Sequence, residues 1–235
     1  MDIKFTSIFC DIPKAFYPKP AQLCLPDWYK ESESYFNTDN SEAVISRKTI
    51  KKCMPVFDSI TSGYIVFSAI DISVKNTENG VYFQWPNKYV LSGSKKNVDP
   101  LEFHDFKQVE KYPMLEKEEV PKFVNPWGIQ TPKGYSVFVT SPMHRDIPFD
   151  ILPAIVDTDK NHSPINFPFL LKNKWSGIIP CGTPIAQIIP FKRDSWKMSI
   201  GEKEEEKNAL QQLFYLQSSY IGGYKKFNWN KKEFK

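Results

Sequence analysis

"GIIPCGTPIAQIIPFKRDSW", residues 177–196, places a short apolar strand, a Pro-x-Gly turn, a second strand and a basic patch in one run. In "PCGT", residues 180–183, the glycine supplies the positive φ that a type II turn demands. Beyond it, Ile185, Ile188 and Ile189 are core candidates, and Gln187 is a polar residue inside an apolar run. A side-chain amide in that setting needs backbone or ligand partners. The stretch reads as a closing core hairpin, and its basic end, "FKRD", as a place for an anion.

The same pattern repeats upstream. "PKGY", residues 132–135, is a second Pro-x-Gly turn, and "SVFVTS", "LPAIVDTD", "INFPFLLKN" and "SGIIP" follow as short apolar segments bounded by turns. "YIVFSAIDISV" is a strand by its β-branched and aromatic content, and Asn79-Gly80 marks a hairpin after it. Nineteen prolines against ten glycines fit short extended segments. Together these features predict a mainly β fold, a sandwich or barrel, in place of alternating strands and helices.

Helical signals are few. A short helix is expected from Pro26, another around residues 54–60 that stops at Gly63, and a longer one in "GEKEEEKNALQQLFYLQSSY". There Ala209, Leu210, Leu213, Phe214 and Leu216 form an apolar face, and "IGG" ends it. The chain divides into an irregular arm over residues 1–50, a core over 51–196 with a polar insertion at about 91–120, and a C-terminal helix with a basic tail over 197–235.

With 235 residues the chain can build one sizeable core. A net charge of +4 with interleaved Lys and Glu excludes a strong field for nucleic acid. The exception is the tail "YKKFNWNKKEFK", whose aromatics can stack on bases and whose lysines can meet phosphate; the alternative is a solvated terminus. No run approaches the ~18 apolar residues of a membrane span, and the start has no leader pattern, so the protein is expected in the cytoplasm. Cys10, Cys24, Cys53 and Cys181 lie far apart. They read as reduced, mostly buried thiols.

Two stretches carry candidate chemistry. In "MHRD", His144 and Asp146 have the spacing of the first two ligands of an iron facial triad, which would make a jelly-roll oxygenase; the later histidine, His162, is close in sequence for a third ligand. In "AIVDTD", Asp157 and Asp159 sit on one side of an extended backbone. Such a carboxylate can orient water or a sugar hydroxyl; alternatively the pair makes turn hydrogen bonds.

Taken in order, four stretches resemble the core of the trimeric deoxyuridine triphosphatases and the related dCTP deaminases, a β-clip barrel. "GTPIAQII" is similar to that family's G-D-R-I-A-Q-L motif and "LPAIVDTD" to its G-V-I-D-x-D-Y motif. "TPKGYSVFVTSP" and "TSGYIVFSAIDISV" resemble its other two core strands. The resemblance implies a nucleotide or phosphate ligand, with Asp157 near the attacking water or sugar, Asp159 beside it, and Gln187, Arg145, Lys192 and Arg193 meeting phosphate. Magnesium would accompany a bound nucleotide.

The chain departs from that pattern at Ile65, where the family has an aspartate, and at "MHRD", which replaces the phosphate loop. The whole sequence also resembles a family found in large tailed phages and marine bacteria, which implies host cytoplasm or virion and a phage or host protein partner. The second functional expectation is therefore a non-enzymatic interaction or virion-structural protein built on the same barrel. The β-clip resemblance implies a homotrimer. In "INFPFLL", Ile165, Phe167, Phe169 and Leu171 form an apolar face that either covers a neighbour or packs inside its own barrel.

Overall fold

The computed structural model describes residues 1–40, 43–112, 119–218 and 223–235. Its strands are β1 (Lys4–Ser7), β2 (Lys19–Pro20), β3 (Tyr35–Asn40), β4 (Ala43–Lys48), β5 (Tyr64–Phe67) and β6 (Ile72–Thr77). They continue with β7 (Gly80–Gln84), β8 (Tyr89–Val90), β9 (Asn97–Val98), β10 (Leu101–His104), β11 (Val120–Phe123) and β12 (Trp127–Gln130). The last are β13 (Tyr135–Thr140), β14 (Phe149–Ile151), β15 (Ala154–Val156), β16 (Phe167–Leu171), β17 (Gly177–Ile179) and β18 (Pro184–Lys192). The α-helices are α1 (Asp27–Glu31), α2 (Met54–Thr61), α3 (Phe106–Val109) and α4 (Lys203–Ser218).

The fold is mainly β with a C-terminal helix, as the sequence predicts, but the expected barrel does not close. The strands form open sheets in the orders β15-β13-β18-β5-β2, β10-β11-β16-β14 and β17-β6-β7, with β1-β12, β3-β4 and β8-β9 as pairs. Closure needs a ladder between edge strands, and the edges here are short and bounded by proline: Pro20 ends β2, Pro148 precedes β14 and Pro153 precedes β15. A proline has no N–H to offer a further strand.

The two Pro-x-Gly turns form as read. Gly134 and Gly182 have φ of +87° and +83°, and the amides of Tyr135 and Thr183 each donate to the carbonyl three residues back at 3.1 Å. In the core, the Phe123 and Phe169 rings stack at 4.2 Å, with Phe149 against both. Phe167 and Phe169 are fully buried, and Ile165 and Leu171 pack on the same core. The alternating face of "INFPFLL" is thus inside its own fold.

The arm and the insertion both join this framework. β1 pairs with β12 along four residues, and Ile3 and Phe5 pack on the main core. The segment expected as loop supplies β9, β10 and α3; β10 pairs with β11, Leu101 is buried, and Asp105 with Gln108 closes a capping box on α3. Charged neighbours hide that apolar anchor in the sequence. Residues 113–118 and the Ile221-Gly222 helix stop lie outside the described residues. The cysteines are free, but Cys10 and Cys181 are exposed and Cys24 and Cys53 only half-buried, not the buried set expected. Among the described residues no helix is long and apolar enough to cross a membrane.

Just beyond the end of helix α2, Gly63 turns the chain at φ +71° into β5, which pairs with β18. A Cβ at that position would lie 2.0 Å from the Ile188 carbonyl oxygen. The approach is open to glycine alone.

Candidate functional site

Strands β13 and β18 run antiparallel, with Tyr135 opposite Lys192 and Thr140 opposite Gln187. The residues expected to form one site therefore divide between the two ends of one ladder. Four strand steps separate Ser136 from Thr140, about 13 Å.

At the Tyr135 end the Pro-x-Gly turn presents the Gly134 amide, which donates to Asp159 Oδ2 at 2.8 Å. Arg193 Nη1 donates to Asp159 Oδ1 at 2.9 Å, to Ser136 Oγ at 2.9 Å and to the Tyr135 carbonyl at 3.0 Å. Its Nη2 donates to Asp159 Oδ2. The Ser136 hydroxyl in turn donates to Asp157 Oδ1 at 2.6 Å, and Arg193 Nη1 lies 3.1 Å from the same oxygen. Hydrogen bonds from Arg193 and the Gly134 amide hold the Asp159 carboxyl far below the usual carboxylate range. The Ser136 hydroxyl, assisted by the Arg193 charge, lowers Asp157, and Asp159 raises Arg193.

Two carboxylates already engage Arg193, and Lys160 adds a positive charge beside Asp159, so the guanidinium is matched within the fold and not left free to meet a phosphate. Asp159's side chain is 3% exposed, whereas Asp157's is 51% exposed. Asp157 is thus the carboxylate open to solvent. A divalent ion would compete with Arg193 for the same oxygens, so the pair does not fit a resident magnesium site. Lys192, next door, is exposed and pairs with Asp194 at 3.3 Å.

At the other end, Gln187 is fully buried. Its Oε1 accepts from the Met143 amide at 2.9 Å, and its Nε2 donates to the carbonyls of Ser59 at 2.9 Å and Ser62 at 2.7 Å. The amide ties the end of α2 to β18 and to the loop after β13. Its polar atoms are all paired with backbone, the bland alternative for a glutamine in an apolar run. In the same loop Arg145 Nη2 donates to the Cys24 carbonyl, and the Trp28 indole donates to the His144 carbonyl at 2.6 Å. "MHRD" therefore clasps the N-terminal arm. His144 and Asp146 belong to no group of three metal-ligating side chains among the described residues.

A different cluster lies where β4, the start of α2 and the C-terminal segment converge. A cleft of about 280 Å³ is lined by Lys48, Lys52, Cys53, Met54, Pro55, Leu216, Gly223, Tyr224 and Lys225. Local chemistry builds its floor: Thr49 Oγ1 caps the turn Ile50–Lys52 by accepting from the Lys51 amide at 3.3 Å, and Pro55 occupies the first turn of α2. Lys52 Nζ stands 5.3 Å above the Tyr35 ring and Lys225 Nζ 5.9 Å above Trp229, which orients both ammonium groups. Among the described residues none of the three lysines is in an ion pair, and the lining holds no carboxylate. The positive end of α2 adds to the field.

The tail that completes this cleft is anchored at Trp229, Lys232 and Phe234, while most of its other residues stay exposed. The Trp229 indole donates to both oxygens of Asp58 at 3.0 Å, Lys232 pairs with Asp58, and Gln22 donates to the Phe234 carbonyl at 2.7 Å. Sequence reasoning saw lysines in this tail suited to phosphate. It missed Lys48 and Lys52, which lie more than 170 positions away in the chain.

Comparison with family models finds no match, and none of the curated proteins matches either.

Proposed function

We propose that the protein binds a phosphate-bearing small molecule of the nucleotide class in the cleft between β4, α2 and the C-terminal segment. The observation that carries this reading is the convergence of Lys48, Lys52 and Lys225 on one cleft with no carboxylate in its lining among the described residues. Like charges lining one cleft repel each other, and a polyanion relieves that repulsion while gaining charge-assisted hydrogen bonds. Tyr224, Met54 and Leu216 give the same cleft an apolar wall, suited to the base or ester portion. The ordered motifs that resemble the deoxyuridine triphosphatase core support the ligand class, on an open sheet framework in place of a closed barrel. We assign no hydrolytic step.

Calorimetric titration with dUTP, dCTP, ATP, AMP and pyrophosphate tests the reading. At least one is expected to bind with Kd of about 10–500 µM and to weaken when Lys52 is replaced by alanine. No saturable binding at millimolar concentration for any of the five overturns it.

A second reading, an assembly scaffold, is favoured by α4. Every residue from Lys203 to Tyr215 is exposed, including Leu210, Leu213 and Phe214 of the apolar stripe. A sixteen-residue helix is marginal alone in water, and two further copies of the chain would cover it. Light scattering is then expected to give three times the 27.3 kDa chain mass, falling to one in Leu213→Ser/Phe214→Ser; a concentration-independent monomer in the unaltered protein removes this reading.

A further inference from the structure

The three-stranded sheet β17-β6-β7 has one face on the core and one in solvent. Ile178, Ser73 and Gln84 stand opposite one another on the three strands, making a single row across the outer face. Trp85 follows β7 and Asp71 precedes β6, and together with Pro86 these residues line a groove of about 410 Å³. That size falls in the ~300–1,000 Å³ range of small-molecule sites.

Two of the polar and aromatic groups are fixed before any ligand arrives. The Trp85 indole donates to Asp99 Oδ1 at 2.9 Å, Asp99 is itself held by Lys88 at 2.8 Å, and the ring packs against both neighbouring core clusters. The Asp71 Oδ1 accepts from the Cys181 amide at 2.6 Å. The ring's N–H is engaged on one edge, and the partly buried ring contributes to the groove lining from its core side. With it in the lining stand a carboxylate, a primary amide and a hydroxyl, a set of acceptors and donors beside apolar Ile178 and Pro86.

We propose that this groove binds a neutral saccharide. A sugar ring has just these two aspects: a patch of C–H bonds that packs on an indole face, and an equatorial rim of hydroxyls that each donate and accept. Asp71 is the one ionisable group in the lining among the described residues, so a phosphate or nucleic acid is repelled and a basic peptide has a single partner. The amide of Gln84 and the hydroxyl of Ser73 both donate and accept, matching vicinal hydroxyls. The site is separate from the lysine cleft in residues and in charge.

Titration of the full chain with cellobiose, maltose, lactose, chitobiose and mannobiose, followed by calorimetry and by tryptophan fluorescence, tests the proposal. At least one disaccharide is expected to bind with Kd of about 0.1–10 mM and to change the emission. Because Trp85 also supports the core, the specificity control is the exposed pair Ser73→Ala/Gln84→Ala, expected to keep the unaltered melting temperature and to lose at least about tenfold in affinity. Absence of saturable binding by all five sugars overturns the proposal, as does binding that the double variant leaves unchanged. Nucleotide binding at the lysine cleft is measured separately and is expected to be the same in both proteins.

Discussion

The Asp157–Arg193–Gln187 ladder and the lysine cleft both bring charged or polar side chains together, yet they differ in how far those groups are already satisfied. Arg193 donates to the Tyr135 carbonyl, the Ser136 hydroxyl and the Asp159 carboxylate, and Gln187 pairs every polar atom with backbone. Lys48, Lys52 and Lys225 line one cleft with no ion pair among the described residues, Lys52 and Lys225 resting only over the Tyr35 and Trp229 rings. The first region resembles a site in residue type and serves the fold; the second is inconspicuous in sequence and keeps its chemistry available. A polar side chain's role follows from the partners it retains after folding, not from its identity in a motif.

This contrast can be broken by substitution, and the largest effect is expected where the chain leaves α2 against β18. Gly63→Ala places a Cβ against the Ile188 carbonyl at a positive φ, costing about 4 kcal/mol or more. Urea denaturation measures it; a variant within about 1 kcal/mol of the unaltered protein would show that α2 is not clamped to β18. Gln187→Ala comes next, because it strands the Ser59 and Ser62 carbonyls and the Met143 amide at once, an expected loss of about 2–4 kcal/mol. If Gln187 instead serves a ligand, the variant keeps its stability and loses nucleotide affinity, which reverses the comparison.

Arg193→Ala is expected to lower the melting temperature by roughly 5–10 °C at about pH 7, and the pH dependence identifies the cause. Asp157 and Asp159 have folded pKa values below their unfolded ones, so their contribution is present above the unfolded value near ~3.9 and is lost as pH falls through the folded values. The gap between the unaltered protein and Arg193→Ala should therefore narrow as the solution is taken from about pH 6 toward pH 3. A gap that stays constant over that interval would mean Arg193 acts through the Tyr135 carbonyl and Ser136 alone.

Legibility in the sequence followed the range of the interactions. The Pro-x-Gly turns, α2 with its Gly63 stop and α4 depend on neighbours within a few residues, and each formed where the sequence placed it; of the β18 core positions Ile185 and Ile188 are buried, whereas Ile189, on the opposite side of the strand from Ile188, is only partly covered. The need of Gln187 for partners was also legible, since a buried amide cannot go unpaired. What supplied them was not, because Ser59, Ser62 and Met143 come from distant segments. Barrel closure failed for the same reason: whether edge strands pair depends on prolines and lengths at both edges together. The lysine cleft joins residues 48, 52 and 225; both halves stand in basic stretches, "RKTIKK" and "YKK", but nothing local shows that folding brings the two together.

The smallest stability effect, and the sharpest test of the comparison, belongs to the cleft. Lys52→Ala and Lys225→Ala each remove a charge that opposes its neighbours and that has no ion-pair partner among the described residues. Each loses one ring contact, to Tyr35 or Trp229, worth about 0.5–1 kcal/mol at an exposed site, against which the relief of like-charge repulsion acts in the opposite direction. The melting temperature is therefore expected to move by no more than about 2 °C, while affinity for the best-binding nucleotide of the panel falls about tenfold in each variant, and more steeply at low salt than at high. Arg193→Ala, measured alongside, should show the opposite combination: a large fall in melting temperature and an unchanged dissociation constant. If instead the two lysine variants unfold like Arg193→Ala and bind like the unaltered protein, the lysines are structural, the two regions are alike, and the cleft is not where the phosphate sits.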